Sequence, residues 1–314
     1  MKLLVFSTED DPSPRAGVLA DSVVVDLSGV VAQQRIAGRT APNPTADVLT
    51  VLNRTPALSD EITGYIEDVV SSGGGIAENE ITYLPPVHNP GKFLCVGKNN
   101  QRHLVELQER KLLTEVPREP TGFIKLNGVL SGHGAEVARP AGITTLDYEP
   151  ELAFVISRRA HGIRASEAMA HVGAVTLFND LTAREVQRRE VEAGTRFWTA
   201  KNMPGFAPLG PVLVPLNEIG DPHQLVIVCR VNGEERLRFQ PSEQIYGIPQ
   251  VLEHFTRYVP FEPGDVMSLG APAGTAIGQD DPSKFFLVPG DVVEIHCDQI
   301  GTLATRIIED PRGS

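Results

Sequence analysis

The sequence is short of the residues that mark several large function classes. It has three cysteines, Cys95, Cys229 and Cys297, odd in number and far apart. Neither a disulfide framework nor a zinc cluster follows from them. Basic residues are outnumbered, 28 against 40 acidic, for a formal net charge of -12. A general nucleic-acid binder needs a basic face to displace phosphate counterions, and that surplus is missing. No apolar run approaches the roughly 18–20 residues that span a bilayer. The first six residues run into the acidic turn Glu9-Asp10-Asp11, too soon for the apolar region of a secretory signal. There is no Gly-x-Ser-x-Gly nucleophile elbow, no phosphate loop ending in Lys-Ser/Thr and no dinucleotide fingerprint. The expectation is a cytoplasmic protein with reduced thiols and no nucleic-acid or membrane partner.

What is present has an ordinary globular balance, 41% hydrophobic and 22% charged over 314 residues. That length allows one large domain or two unequal ones. The 29 glycines and 25 prolines suit strands and turns better than a helical bundle. Residues 3–6, 16–19 and 23–27 read as short strands, and residues 43–72 carry helical spacing. Leu84-Pro85-Pro86-Val87-His88-Asn89-Pro90-Gly91 then marks a boundary. Residues 1–84 form a small α+β domain and residues 85–314 a larger, strand-rich one. In the larger part, residues 92–96, 148–157 and 172–178 read as strands and 100–111 as a helix. Residues 182–191 read as a second helix, with Thr182 as N-cap and Glu185 completing a capping box. Asn232-Gly233 is a two-residue hairpin signal. Residues 285–288, 291–297 and 302–308 read as closing strands.

The densest chemical signal is Asp147-Tyr148-Glu149-Pro150-Glu151-Leu152-Ala153-Phe154. In a strand, Glu149 and Glu151 share a face. Two like charges at the mouth of an apolar run need neutralising. A third carboxylate, Asp180, stands where the run 172–178 gives way to a helix. Three carboxylates from separate elements suit a hard cation such as Mg²⁺ or Mn²⁺ better than Zn²⁺. From spacing alone, a solvated strand edge and a helix cap explain them equally well. Arg184 and Gln187 are three apart and share a helix face. They could grip a carboxylate or carbonyl, or lie outward. Lys201, in a run of small and apolar residues, could pair with a carboxylate or hold a developing enolate, or be an ordinary loop lysine. His103 and Glu106 are three apart on a helix. A carboxylate there fixes the imidazole tautomer and raises its basicity, although a surface His–Glu pair is common.

Taken in order, these segments resemble the fumarylacetoacetate hydrolase (FAH) family. Its pattern matches Gly97-Lys98-Asn99 with His103 and Glu106, then Tyr148-Glu149-Pro150-Glu151-Leu152. It continues in Asn179-Asp180-Leu181-Thr182-Ala183-Arg184-Glu185-Val186-Gln187 and in Trp198 shortly before Lys201. Pro208-Leu209-Gly210-Pro211 and Pro289-Gly290-Asp291-Val292-Val293 complete it. The resemblance implies a β-rich α+β fold, a mixed β-roll with a small N-terminal α+β domain, usually as a homodimer. It implies Glu149, Glu151 and Asp180 as ligands of Mg²⁺ or Mn²⁺, with Ca²⁺ a further candidate. Arg184, Gln187 and Lys201 would line the pocket of a small 2-oxo acid. His103 and Glu106 would form a catalytic dyad with Lys201 as its partner, on a segment, 103–120, that closes over the ligand. The implied reaction is hydrolysis of a C–C bond in an acylpyruvate-like 2-oxo acid, of fumarylpyruvate, acetylpyruvate or fumarylacetoacetate type, through a metal-stabilised enolate. Such chemistry belongs to aromatic catabolism. Alternatives are a decarboxylase or tautomerase of a related 2-oxo or β-keto dicarboxylic acid, and a non-catalytic metal-binding homologue. Three departures bear on the substrate. Ala271, at a substrate-binding position, replaces the usual Thr. Asn202-Met203-Pro204-Gly205 replaces Ser-Phe-Asp-Thr, and Leu303-Ala304-Thr305 lacks an Asn.

Overall fold

Short apolar runs separated by glycine and proline turns favour strands, and strands dominate the architecture. The computed structural model describes residues 1–32, 44–54, 56–113, 116–195 and 199–313. The fold is mixed α+β and sheet-rich. The larger sheet runs in the order Ile76–Ala77, Val23–Asp26, Arg15–Ala20, Lys2–Thr8, Ala207–Pro215, Val172–Asn179, Pro150–Ile156, Val266–Ser268, Phe93–Gly97, Thr121–Lys125. The N-terminal strands are continuous with the rest through Lys2–Thr8 and Ala207–Pro215, where Leu3 faces Leu213. A second sheet runs Glu234–Phe239, Ile227–Val231, Val292–Cys297, Gly301–Glu309, Ala135–Arg139. Its hairpin turns at Asn232 and Gly233, both left-handed (φ 53° and 79°), as a two-residue turn requires. Among the described residues no helix is long and apolar enough to cross a membrane.

Pro150–Ile156 is buried along its whole length. Leu152, Phe154 and Ile156 enter one core, while Ala153 and Val155 enter another. A strand covered on both faces needs no polar alternation. Ala207–Pro215 is also wholly buried. It contains Pro208 and Pro211, residues usually confined to sheet edges and bulges. Its ladder with Val172–Asn179 jumps from Val175–Val214 to Leu177–Gly210, and that irregularity accommodates the prolines. The Gln101–Glu109 helix begins as expected, with Asn100 Oδ1 accepting the His103 N–H at 3.1 Å.

Two sequence expectations fail. The second helix spans Arg184–Glu192 and has no side-chain cap. Thr182 instead lies in a two-residue strand, Thr182–Ala183, paired with Leu146–Asp147. Its hydroxyl donates to the Asp180 carbonyl at 2.8 Å. Glu185 accepts from the N–H groups of Thr144 (2.7 Å) and Thr145 (2.9 Å), so tertiary partners take both halves of the expected capping box. Residues 285–288 form no strand. Only Leu287 bridges, to Leu146, because a 3₁₀ turn at Pro282–Lys284 already bends the chain.

Candidate active site

Glu149 immediately precedes the strand Pro150–Ile156, and Asp180 immediately follows Val172–Asn179. The antiparallel ladder pairs Pro150 with Asn179 and Glu151 with Phe178. The Asp180 N–H donates to the Glu149 carbonyl at 2.9 Å. Two strand ends therefore bring three carboxylates together, with one oxygen of each within 4.8 Å of the others. Glu149 is 4% exposed, and Glu151 and Asp180 1% each. A solvated strand edge is ruled out. Carboxylates buried together need a compensating charge.

The local electrostatics show where that charge is lacking. Burial would raise the Glu149 carboxyl, but Arg184, Lys201 and His103 hold it well below the ordinary range. Glu151 behaves oppositely. Burial, then the charge of Asp180, pushes it well above the ordinary range, against weaker pulls from Ser268 and Lys201. Its Oε2 accepts the Gly270 N–H at 2.9 Å. Gly270 is obligatory there, since a Cβ would lie 2.6 Å from the Val96 carbonyl oxygen and φ is +90°. Three converging oxygen donors, one short of positive charge, fit a hard divalent cation of the Mg²⁺ or Mn²⁺ kind.

Two lysines and an arginine surround the triad. The Lys201 ammonium, on the turn Thr199–Lys201, donates to Glu149 Oε2, to Asp180 Oδ2 and, at 2.9 Å, to Thr182 Oγ1. Burial opposes its charge, but Asp180 and Glu149 hold its pKa above the ordinary lysine value, so it stays an ammonium. Lys125 Nζ lies 2.6 Å from Asp180 Oδ1. Arg184 and Gln187 are buried rather than outward-facing. The Arg184 guanidinium donates to Asp147 Oδ2 (2.8 Å), Gln187 Oε1 (2.9 Å) and Glu149 Oε1 (2.5 Å). Asp147 is itself pinned by the N–H groups of Ala276 (2.8 Å) and Ile277 (3.1 Å).

The dyad is also assembled. His103 Nδ1 lies 2.9 Å from Glu106 Oε2, and His103 Nε2 lies 3.9 Å from Glu149 Oε1. With Nδ1–H donating to the carboxylate, Nε2 turns its lone pair toward the triad. Glu106 Oε1 accepts the Gly274 N–H at 2.9 Å. Ala271 lines the same cavity, which measures about 30 Å³.

Every expected site residue but Glu106 thus lines one cavity, and Glu106 stands behind His103, 2.9 Å from its Nδ1. Trp198 lies outside the described residues. Sequence reasoning gave no role to Lys125 or Asp147, and gave Thr182 only that of a helix cap. Lys125 has a faint signal in its strand, Thr121–Lys125, where it shares the two-residue phase of Phe123.

Residues 92–308 match the family model described as fumarylacetoacetate (FAA) hydrolase, C-terminal. The oxaloacetate tautomerase YisK of Bacillus subtilis is 35% identical over 231 residues, 73% of this chain and 74% of that protein. The human mitochondrial oxaloacetate tautomerase FAHD2A is 34% identical over 233 residues, 74% of this chain and 71% of that protein. The crystal structure of maleylpyruvate hydrolase from Sphingobium sp. SYK-6, in complex with manganese(II) and pyruvate, superposes with a TM-score of 0.75, covering 100% of both chains at 20% identity. That last likeness is one of fold. With the match over residues 92–308 and the assembled acidic site, the chain belongs to the fumarylacetoacetate hydrolase family.

Proposed function

We propose that this protein is a divalent-metal-dependent enzyme that interconverts the keto and enol forms of a 2-oxo dicarboxylic acid of the oxaloacetate type. The observation that carries this reading is the buried His103, paired with the half-buried Glu106, with Nε2 facing Glu149 at 3.9 Å. The tautomerase relatives support it. Glu149, Glu151 and Asp180 would hold the metal, which supplies Lewis acidity at the 2-oxo and carboxylate oxygens and so acidifies the C3 proton.

Tautomerisation moves one proton between C3 and the 2-oxygen and consumes nothing else. It needs a base near neutral pKa and positive charge where negative charge develops. His103 Nε2 takes the C3 proton of the keto form and returns it to the 2-oxygen. Glu106 steadies the imidazolium formed in between. The Lys201 ammonium supplies fixed positive charge beside the reacting oxygens. Arg184 keeps Glu149 ionised and in place. A tight, buried cavity excludes water that would otherwise compete for the proton.

A second reading is hydrolysis of a C–C bond in an acylpyruvate-like acid. The same dyad favours it, since His103 could deprotonate a water, and maleylpyruvate hydrolase has this fold. The two separate experimentally. The decay of freshly dissolved oxaloacetate enol is followed with Mn²⁺ or with EDTA, beside a panel of acylpyruvates. Expected is metal-dependent acceleration of the enol–keto change, lowered roughly 10²–10⁴-fold by His103→Ala, with Mn²⁺ still bound. An enol–keto rate at buffer level in the metal-loaded protein would end the tautomerase reading. Cleavage of an acylpyruvate in its place would establish the hydrolase.

A further inference from the structure

The turn that carries Lys201 is fastened to an edge strand by two side chains of different kinds. Asn202 Oδ1 accepts the Leu126 N–H at 2.7 Å, and Asn202 Nδ2 donates to the Ile124 carbonyl at 3.0 Å. Between those two residues, Lys125 points back. Its Nζ donates to the carbonyl of Lys201 and, at 2.8 Å, to that of Phe206, and it lies 2.6 Å from Asp180 Oδ1. The Lys125 side chain is 0% exposed. The Ser131 hydroxyl adds a bond to the Gly205 carbonyl at 3.1 Å. A buried ammonium is costly unless it is paired and hydrogen-bonded, and the oxygens of Lys201, Phe206 and Asp180 supply the partners of Lys125.

We propose that Asn202 and Lys125 form a clasp whose task is to aim the Lys201 ammonium, making both positioning residues for the reaction. Neither is expected to touch substrate. Lys201 is anchored at its backbone carbonyl by Lys125, one residue before the carboxamide that locks the turn. Its ammonium must then reach a point shared by Glu149 and Asp180. Lys125 meanwhile holds the other oxygen of Asp180, so the clasp fixes Lys201 and one of its targets together. Asn202 is also one of the positions where this chain departs from the family pattern. The departure is occupied by a residue that bonds the neighbouring strand rather than the cavity.

The inference rests on Lys201 acting on charge that develops during the proposed reaction. Such a group lowers kcat when misplaced and leaves ground-state binding largely alone. Asn202→Ala removes both edge-strand bonds without changing any charge. It should lower kcat roughly 10- to 100-fold, on the scale of a sub-ångström to 1 Å misplacement, with KM and the thermal midpoint near wild type. Asn127→Ala is the control. It removes two comparable bonds on the next turn, to Asn89 Oδ1 (2.6 Å) and the Pro90 carbonyl (2.9 Å), and should leave kcat unchanged. Lys125→Met should cost at least as much kcat as Asn202→Ala. If that variant does not fold, the asparagine pair alone decides. Wild-type kcat in Asn202→Ala, or equal losses in Asn202→Ala and Asn127→Ala, would overturn the clasp. Wild-type protein with no turnover of any 2-oxo acid would instead overturn the proposed function.

Discussion

A single methyl group at Gly278 offers a sharp test of the dyad. A Cβ there would lie 2.4 Å from Glu106 Cδ, 2.5 Å from Oε2 and 2.7 Å from Oε1. Non-bonded carbons prefer about 3.5–4.0 Å, so the carboxylate must retreat by about 1 Å. The obstacle is the far end of a flexible side chain, so the fold can yield there. Gly278 is outside the left-handed region, so alanine fits its backbone. Gly→Ala at a compatible site gains about 0.4–1 kcal/mol through the unfolded chain, which offsets part of the crowding. The functional cost is different. The His103–Glu106 and Gly274–Glu106 contacts are each 2.9 Å, and a retreat of about 1 Å takes both beyond hydrogen-bond range. Gly278→Ala should therefore lower kcat about 100-fold, keep its thermal midpoint, and bind Mn²⁺ as wild type does. Combined with Glu106→Ala it should cost little more than either alone, because both act through one imidazole. Steady-state kinetics and calorimetric Mn²⁺ titration of the variants check this. Wild-type kcat in Gly278→Ala, or parallel loss of activity and metal binding, would refute the role given to Glu106.

Three further outcomes are expected. Mn²⁺ at about 100 times its Kd should stabilise the fold by about 2.7 kcal/mol, read as a rise in thermal midpoint; Glu149→Gln, Glu151→Gln and Asp180→Asn should each abolish the rise, and a rise kept by all three would place the metal elsewhere. Arg110 fastens the end of the dyad helix through the carbonyls of Ile277 (3.2 Å) and Gln279 (2.6 Å); losing charged-group hydrogen bonds worth about 1.5–3 kcal/mol should speed amide exchange of residues 103–109 roughly 10- to 100-fold in Arg110→Ala, and unchanged exchange would show that Arg110 does not latch the helix. Burial lowers the His133 pKa from its ordinary 6.5, while its Nδ1 accepts the Ala304 N–H at 3.1 Å. The folded protein thus prefers the neutral ring. Its contribution is full above the unfolded pKa and is lost as pH falls through the folded one, so wild type should lose more thermal midpoint below pH 6.5 than His133→Gln. Parallel curves for the two proteins would remove that contribution.

The acidic triad was legible because each part of it is local. Glu149 and Glu151 share a strand phase, and Asp180 sits at a strand-to-helix junction. Their burial was not legible, since it depends on strands from both ends of the chain meeting in one sheet. The same limit explains the misread elements. Thr182 and Glu185 have a capping-box spacing, but Leu146–Asp147 and Thr144 offered partners that spacing cannot reveal. Pro208 and Pro211 are of a residue type usually kept to sheet edges, yet an irregular ladder holds them in a central strand. Lys125 finds its carbonyl partners 76 and 81 residues away, so no motif announces it.

Arg184 shows how far a motif can be read as chemistry. Its position beside Asp180 suggested a hand for the substrate. In the fold its Nε, Nη1 and Nη2 groups reach Asp147, Gln187 and Glu149. Asp147 is held in turn by two backbone N–H groups of the 276–277 turn, the turn that ends at Gly278 beside Glu106. One buried guanidinium thereby joins the acidic site to the segment that orients the dyad. Moving that segment changes both the charge around Glu149 and the base that faces it. The separation of Glu149, held ionised by Arg184, from Glu151, pushed toward its neutral form, follows from which of them the arginine can reach. The sequence motif names the residues; the distances show which carboxylate the arginine reaches.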